Sequence, residues 1–154
     1  MTDEPMSADA PADLAGRGTA QSLALGFETA EGVCAMRAPF RADLVGDPAG
    51  GGLAGGVITT LLDQTCGMAV SVAQRARQPR EANLNRFGTM ATLDLRIDFV
   101  RPARAGHAVI AEAECYSIAG GVAFVRGLAF ETGRADPIAA AQAAFMLTEL
   151  PPRA

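Results

Sequence analysis

The sequence predicts an α+β domain, an antiparallel sheet wrapped around one long central helix. Three observations predict it. Val57, Ile58, Leu61, Leu62, Met68, Val72 and Ala73 recur at three- and four-residue steps, the period of a buried helix. Leu93, Leu95, Ile97 and Phe99 alternate with Thr92, Asp94, Arg96 and Asp98, the period of a strand. Further apolar segments follow, the first two joined by Gly120-Gly121, a hairpin signal. Strands in series around one enclosed helix make an α+β layout.

The elements follow in order. Residues 1–20 are rich in Pro, Ala, Asp and Gly without a sustained period and read as a mobile tail, leaving 21–150 as the folded domain. Two short apolar runs, 23–27 and 33–38, flank Glu31-Gly32 and read as strands across a turn. Residues 41–52 hold Gly46, Asp47, Pro48, Gly50, Gly51 and Gly52, which predicts an unusually flexible loop. The helix is expected over 56–76, almost wholly enclosed, because Asp63 is its one charge before Arg75. Polar residues 75–90 then form a loop. After the alternating strand, Pro102 marks a stop, and strands are expected at 108–118 and 122–131. The last segment, 138–149, is Ala-rich enough for a helix by propensity. It follows two hairpin-linked strands and is read as a strand.

Composition bounds the function. The chain has 154 residues, 49% hydrophobic and 19% charged, which suits one globular domain. A net charge of −4 does not favour a nucleic-acid partner, which calls for a basic face. No run of about 20 uninterrupted apolar residues marks a membrane span, and the acidic N-terminus does not resemble a signal peptide. Cys34, Cys66 and Cys115 form no Cys-x-x-Cys pair, which predicts free buried thiols, a reducing cytoplasm and no metal site.

The stretch Leu53-Ala54-Gly55-Gly56-Val57-Ile58-Thr59-Thr60-Leu61-Leu62-Asp63, together with the strand from Ala91 to Ala103, resembles the hotdog-fold thioesterases. The resemblance is to the branch related to PaaI and 4-hydroxybenzoyl-CoA thioesterase, and it spans roughly residues 22–150. In that branch a loop ends in His-Gly-Gly, opens the central helix, and places an Asp eight residues after the first Gly. One departure stands out: Ala54 occupies the place of the family's His.

The resemblance implies an acyl- or aroyl-CoA thioesterase with no metal and no cofactor, CoA being part of the substrate. Asp63 is the expected base or nucleophile, since thioester hydrolysis needs a carboxylate that attacks the carbonyl carbon or takes a proton from water. The Gly55 amide, at a helix start, is expected to polarise the carbonyl. Gly56 lacks a Cβ and admits the substrate. Thr92 matches a position that carries a hydroxyl near the catalytic water, able to donate to that water or to the carboxylate. Asp47, Ala54, Arg101 and Arg104 complete the expected substrate-binding set, the arginines toward the CoA phosphates. Eight helical residues separate Gly55 from Asp63 by about 12 Å. Reacting atoms must meet at about 3–3.5 Å, so one site has to combine two subunits. A homodimer or a homotetramer built as a dimer of dimers is therefore expected, and Gly67 is a place where helices can approach closely.

The rival reading is a non-catalytic acyl-CoA-binding or sensing protein on the same scaffold, motivated by Ala54. A dehydratase is poorly supported, because the single histidine, His107, lies in a turn and is expected to be exposed and inert.

Overall fold

A computed structural model describes residues 18–30, 33–77, 90–133 and 135–147. The expectations for residues 1–17, the turn at 31–32, 78–89 and 148–150 lie outside the described residues. Chain order is α1 (Gly18–Ser22), β1 (Gly26–Ala30), β2 (Val33–Ala38), a 3-10 turn (Ala42–Leu44), α2 (Gly55–Arg77), β3 (Met90–Phe99), β4 (Val109–Ala119), β5 (Val122–Glu131) and β6 (Pro137–Leu147). The strands form one antiparallel sheet in the order β1-β2-β4-β5-β6-β3. With α2 laid across β2, β4 and β5, this is the hotdog arrangement.

The helix matches its apolar period. Leu61, Leu62, Cys66 and Val70 are fully buried, and Val57, Ile58, Met68 and Ala69 nearly so. It is less enclosed than expected, because Val72 is 42% exposed and Asp63, Gln64 and Gly67 are half-buried. A helix lying on a single sheet buries one face and leaves the other open. By length and apolarity alone α2 meets the criterion for a membrane span, contrary to the reading that no run does. Its apolar side chains are instead packed against the sheet.

The sheet meets the helix with small side chains. Ala111 and Ala113 on β4, Ala123, Gly127 and Ala129 on β5, and Ala139, Ala141 and Ala143 on β6 are all buried. At Gly127 a Cβ would lie 3.2 Å from the Glu112 carbonyl oxygen, 3.3 Å from Cys66 Sγ and 3.5 Å from Leu62 Cδ2, so the helix presses directly on the strand. This accounts for the Ala-rich β6: alternate alanines on a strand let a bulky helix come close, and tertiary packing overrides their helical propensity.

Three boundaries differ from expectation. Residues 18–20, placed in the tail by composition, begin α1, and Ala20 is buried. The run at 23–25 is the exit of that helix, not a strand. Leu25 N–H donates to Ala20 O at 2.9 Å and Ala24 takes a left-handed φ of 53°, the geometry of a Schellman-type stop. The glycine-rich loop is pinned instead of loose. Gly51 N–H donates to Asp47 O at 2.8 Å, Gly46 N–H to Gly52 O at 3.0 Å, and Gly52 N–H to Ala103 O at 3.2 Å.

Among the described residues β3 is a sheet edge, paired with β6 alone, and a register shift falls between Thr92 and Asp94. Leu95 and Ile97 are half-buried, whereas Leu93 and Phe99 are each 52% exposed and the adjoining Val100 is 63% exposed. In Gly120-Gly121 both residues have positive φ, as a tight hairpin turn requires.

Candidate active site

The start of α2 is set by the backbone. Ala54 O accepts from Val57 N–H at 2.9 Å and from Ile58 N–H at 3.2 Å, so Gly55 and Gly56 precede the first intrahelical donors. Their amides have no backbone partner among the described residues, as at any helix N-terminus. Both glycines are exposed. A Cβ on Gly55 would lie 3.4 Å from Phe99 Cζ, and one on Gly56 would meet nothing within 4 Å. The Phe99 ring, at the far end of β3, therefore lies beside Gly55. The alternating strand did not reveal this, because its apolar phase points Phe99 to the helix side without saying which turn it meets.

Two helical turns on, Asp63 is half-buried, and Thr92 Oγ1–H donates to its Oδ1 at 3.1 Å. Of the two acceptors expected for the Thr92 hydroxyl, water or the carboxylate, it meets the carboxylate, within one chain. The hydroxyl fixes one carboxylate oxygen and leaves Oδ2 for another partner. Since Gly55 sits beside Phe99 and Asp63 beside Thr92, α2 and β3 run in opposite directions along the site.

The nearby sulfurs are not competing nucleophiles. Burial pushes the Cys66 thiol up to about 12, with the charges of Asp63 and Cys34 adding to it, and burial pushes Cys34 up to about 12 as well. A thiol held there carries almost no thiolate at neutral pH. The free thiols match expectation, Cys115 being half-buried. Among the described residues no cluster of His, Cys, Asp and Glu is arranged to hold a metal.

The remaining expected residues divide. Asp47 is exposed and shapes its own loop: Oδ1 accepts from Ala49 N–H at 2.9 Å, and its carbonyl accepts from the Gly50 and Gly51 amides. Ala54 N–H donates to Leu44 O at 2.8 Å, so its backbone holds the helix start while its methyl offers no polar group. Arg101 has every guanidinium nitrogen engaged: Nε on Asp136 Oδ2 at 2.9 Å, Nη1 on Glu131 Oε2 at 3.0 Å, and Nη2 on Asp136 O at 3.1 Å. With Nη1 also on Pro102 O at 3.4 Å, that leaves a single Nη2 N–H for a phosphate. Arg104 is half-exposed, and among the described residues its guanidinium pairs through Nε alone, on Glu131 Oε2 at 3.3 Å. Gly67 is half-buried beside Met90 and Phe145 of its own chain. His107 is half-buried, not fully exposed.

Glu131 was not singled out from the sequence, although its signal was there. It continues the inward phase Ala123, Val125, Gly127, Ala129 along β5, where a carboxylate is out of place unless it is paired.

The thioesterase superfamily model matches residues 50–137, more than half of the chain. Among solved structures, a Pseudomonas aeruginosa protein is 38% identical, with 82% of this chain and 87% of that one covered and a TM-score of 0.65. A thioesterase of Haemophilus influenzae superposes with a TM-score of 0.74 over 96% and 94% of the two chains, at 16% identity. The PaaI protein of the E. coli phenylacetic acid degradation operon gives 0.61 over 83% and 82%, also at 16% identity. No curated protein matches the sequence.

Proposed function

The chain belongs to the thioesterase superfamily and is a thioester hydrolase, and from that premise we propose that it cleaves acyl- or aroyl-CoA thioesters. Asp63 acts as base or nucleophile, and the Gly55 amide of a second subunit polarises the carbonyl. The observation that carries this reading is the Thr92–Asp63 hydrogen bond of 3.1 Å, which orients a carboxylate on an otherwise apolar helix.

In the general-base form, Asp63 Oδ2 removes a proton from water as the water oxygen bonds to the carbonyl carbon. Negative charge develops on the carbonyl oxygen, and the unpaired amide at the helix start stabilises it. Collapse breaks the C–S bond, and the leaving thiolate takes the proton from Asp63. In the nucleophilic form, Asp63 itself displaces the thiolate, and water then hydrolyses the resulting anhydride.

On grounds of distance, this reading requires a homodimer or a homotetramer built as a dimer of dimers. Gly55 and Asp63 lie about 12 Å apart along one helix, so a carbonyl held by one is out of reach of the other on that chain. The edge strand β3 supports this assembly, with Leu93, Phe99 and Val100 exposed beside the site. Of the two arginines, Arg104 has the more N–H groups to offer a CoA phosphate.

The test is release of free CoA from a panel of acyl- and aroyl-CoA esters, followed with a thiol reagent. Wild type releases CoA from at least one ester, and Asp63→Asn lowers that rate at least a hundredfold. Tight ester binding without Asp63-dependent release would instead favour the binding-protein reading.

A further inference from the structure

Glu131 is the one fully buried carboxylate among the described residues, and the hydrolysis above does not use it. Its Oε1 accepts from the backbone N–H of Arg104, and its Oε2 accepts from Arg101 Nη1 at 3.0 Å and Arg104 Nε at 3.3 Å. Arg101 is tied in turn to Asp136. The backbone this cluster grips is the one that touches the helix start. Ala103 O accepts from Gly52 N–H at 3.2 Å, and Gly51 pairs with Arg104 as an isolated bridge. Gly55 begins α2 three residues later.

We propose that Glu131 is a positioning residue for hydrolysis, fixing the Gly55 amide through the turn from Arg101 to Arg104. The path runs from the carboxylate to the Arg104 N–H, across the Ala103 carbonyl to Gly52, and along Leu53-Ala54 to Gly55. The inference rests on the reading of the Gly55 amide as the carbonyl-polarising group. A buried ion pair contributes little net stability compared with apolar packing of the same shape. What it adds is direction: a fixed carboxylate bonded to a backbone amide and a forked guanidinium sets a turn in one place. An amide that must meet a developing oxyanion needs that placement, since a displacement of about 1 Å costs about a hundredfold in rate.

Glu131→Gln keeps the shape and removes the charge, so the amide can no longer accept from all three donors. With an ester that wild type cleaves, kcat is expected to fall about ten- to hundredfold while KM changes less than about threefold, because ground-state binding is untouched. Amide hydrogen exchange at Gly52 and Ala54 should quicken in the same variant, with β4–β5 amides unchanged. Asp136→Asn, altering an exposed carboxylate, tests the same path should Glu131→Gln fail to fold. It should lower kcat by about threefold or more and speed exchange at Gly52. A folded Glu131→Gln with wild-type kcat overturns the proposal, as does Asp136→Asn with unchanged kcat and exchange. Asp63→Asn, run in parallel, separates the two readings. Activity that survives loss of Asp63 overturns the hydrolytic mechanism, whereas Asp63-dependent activity indifferent to Glu131 overturns the positioning role alone.

Discussion

Gly52→Ala is the sharpest test of how the helix start is held. A Cβ built on Gly52 would lie 2.4 Å from both the carbonyl carbon and the carbonyl oxygen of Ala103. Ordinary contact begins near 3.5 Å, so one backbone must retreat by about 1 Å. The third atom met, Ala103 Cβ at 2.7 Å, is fixed to the same backbone, so no side chain can swing aside. Two costs follow: overpacking, about 1–3 kcal/mol, and loss of the 3.2 Å Gly52–Ala103 hydrogen bond, about 1 kcal/mol. The sum, about 2–4 kcal/mol, corresponds to a Tm lower by about 5–15 °C for a chain of this size. The same shift carries Gly55 with it and should lower kcat about a hundredfold. Far-UV circular dichroism melts give the first number, and steady-state CoA release well below Tm gives the second. A Tm within about 2 °C of wild type would refute the packing argument. A large fall in Tm with kcat intact would show that the junction holds the fold without aiming the amide.

Three further outcomes are expected. Gly56→Ala places a methyl where no atom lies within 4 Å, so it should raise stability by up to about 1 kcal/mol; CoA release should nonetheless fall at least tenfold, because the open space serves the substrate. Thr92→Val removes the hydroxyl at similar volume and should lower kcat about tenfold, the worth of one oriented hydrogen bond, with Thr92→Ser largely restoring it and Tm hardly moving. Stability should depend on Glu131 at acid pH. Burial by itself would raise its carboxyl, but the Arg104 amide bond, then Arg101 and the Arg104 charge, outweigh burial and hold it below the usual range. A lowered folded value means the unfolded chain binds the proton more readily. The stabilisation is therefore complete above the ordinary Glu value of about 4.3 and is lost as pH falls through the folded value. Urea unfolding at pH 7, 5, 4 and 3 should show this loss in wild type and a shallower decline in Glu131→Gln.

What the sequence revealed followed from local periodicity. The helix at Gly55–Arg77 and strand β5 at Val122–Glu131 were legible because their apolar spacing is regular and their ends carry turn residues. The Asp63–Thr92 contact was legible only as one of two alternatives for the hydroxyl, water or the carboxylate, since the contact depends on how far α2 slides along β3. The exit of α1 was misread as a strand, because a buried Leu25 beyond a left-handed Ala24 looks the same in sequence as an inward strand residue. Arg101 and Arg104 were both read as contacts for the CoA phosphates. Which of them is consumed by Glu131 and Asp136 depends on pairing across 27 to 35 residues, which no local pattern encodes.

The alanines lining the inner face of the sheet also bear on how this protein tolerates mutation. In most cores, damage comes from trimming large side chains, and the hollow left behind sets its size. Along Ala139, Ala141 and Ala143 there is almost nothing to trim, while at Gly127 even one methyl meets Cys66 and Leu62. Harm on this face comes from growth. Ala→Val, a hydrophobic exchange usually classed as mild, would wedge the helix off the strands. A saturation scan should therefore find these positions ranked by side-chain volume more than by polarity, with serine better tolerated than leucine. The same crowding limits adaptation: a lineage exploring new substrates has little freedom beneath the helix and must look to its rim, where Phe99, Gly56 and Arg104 lie in the open.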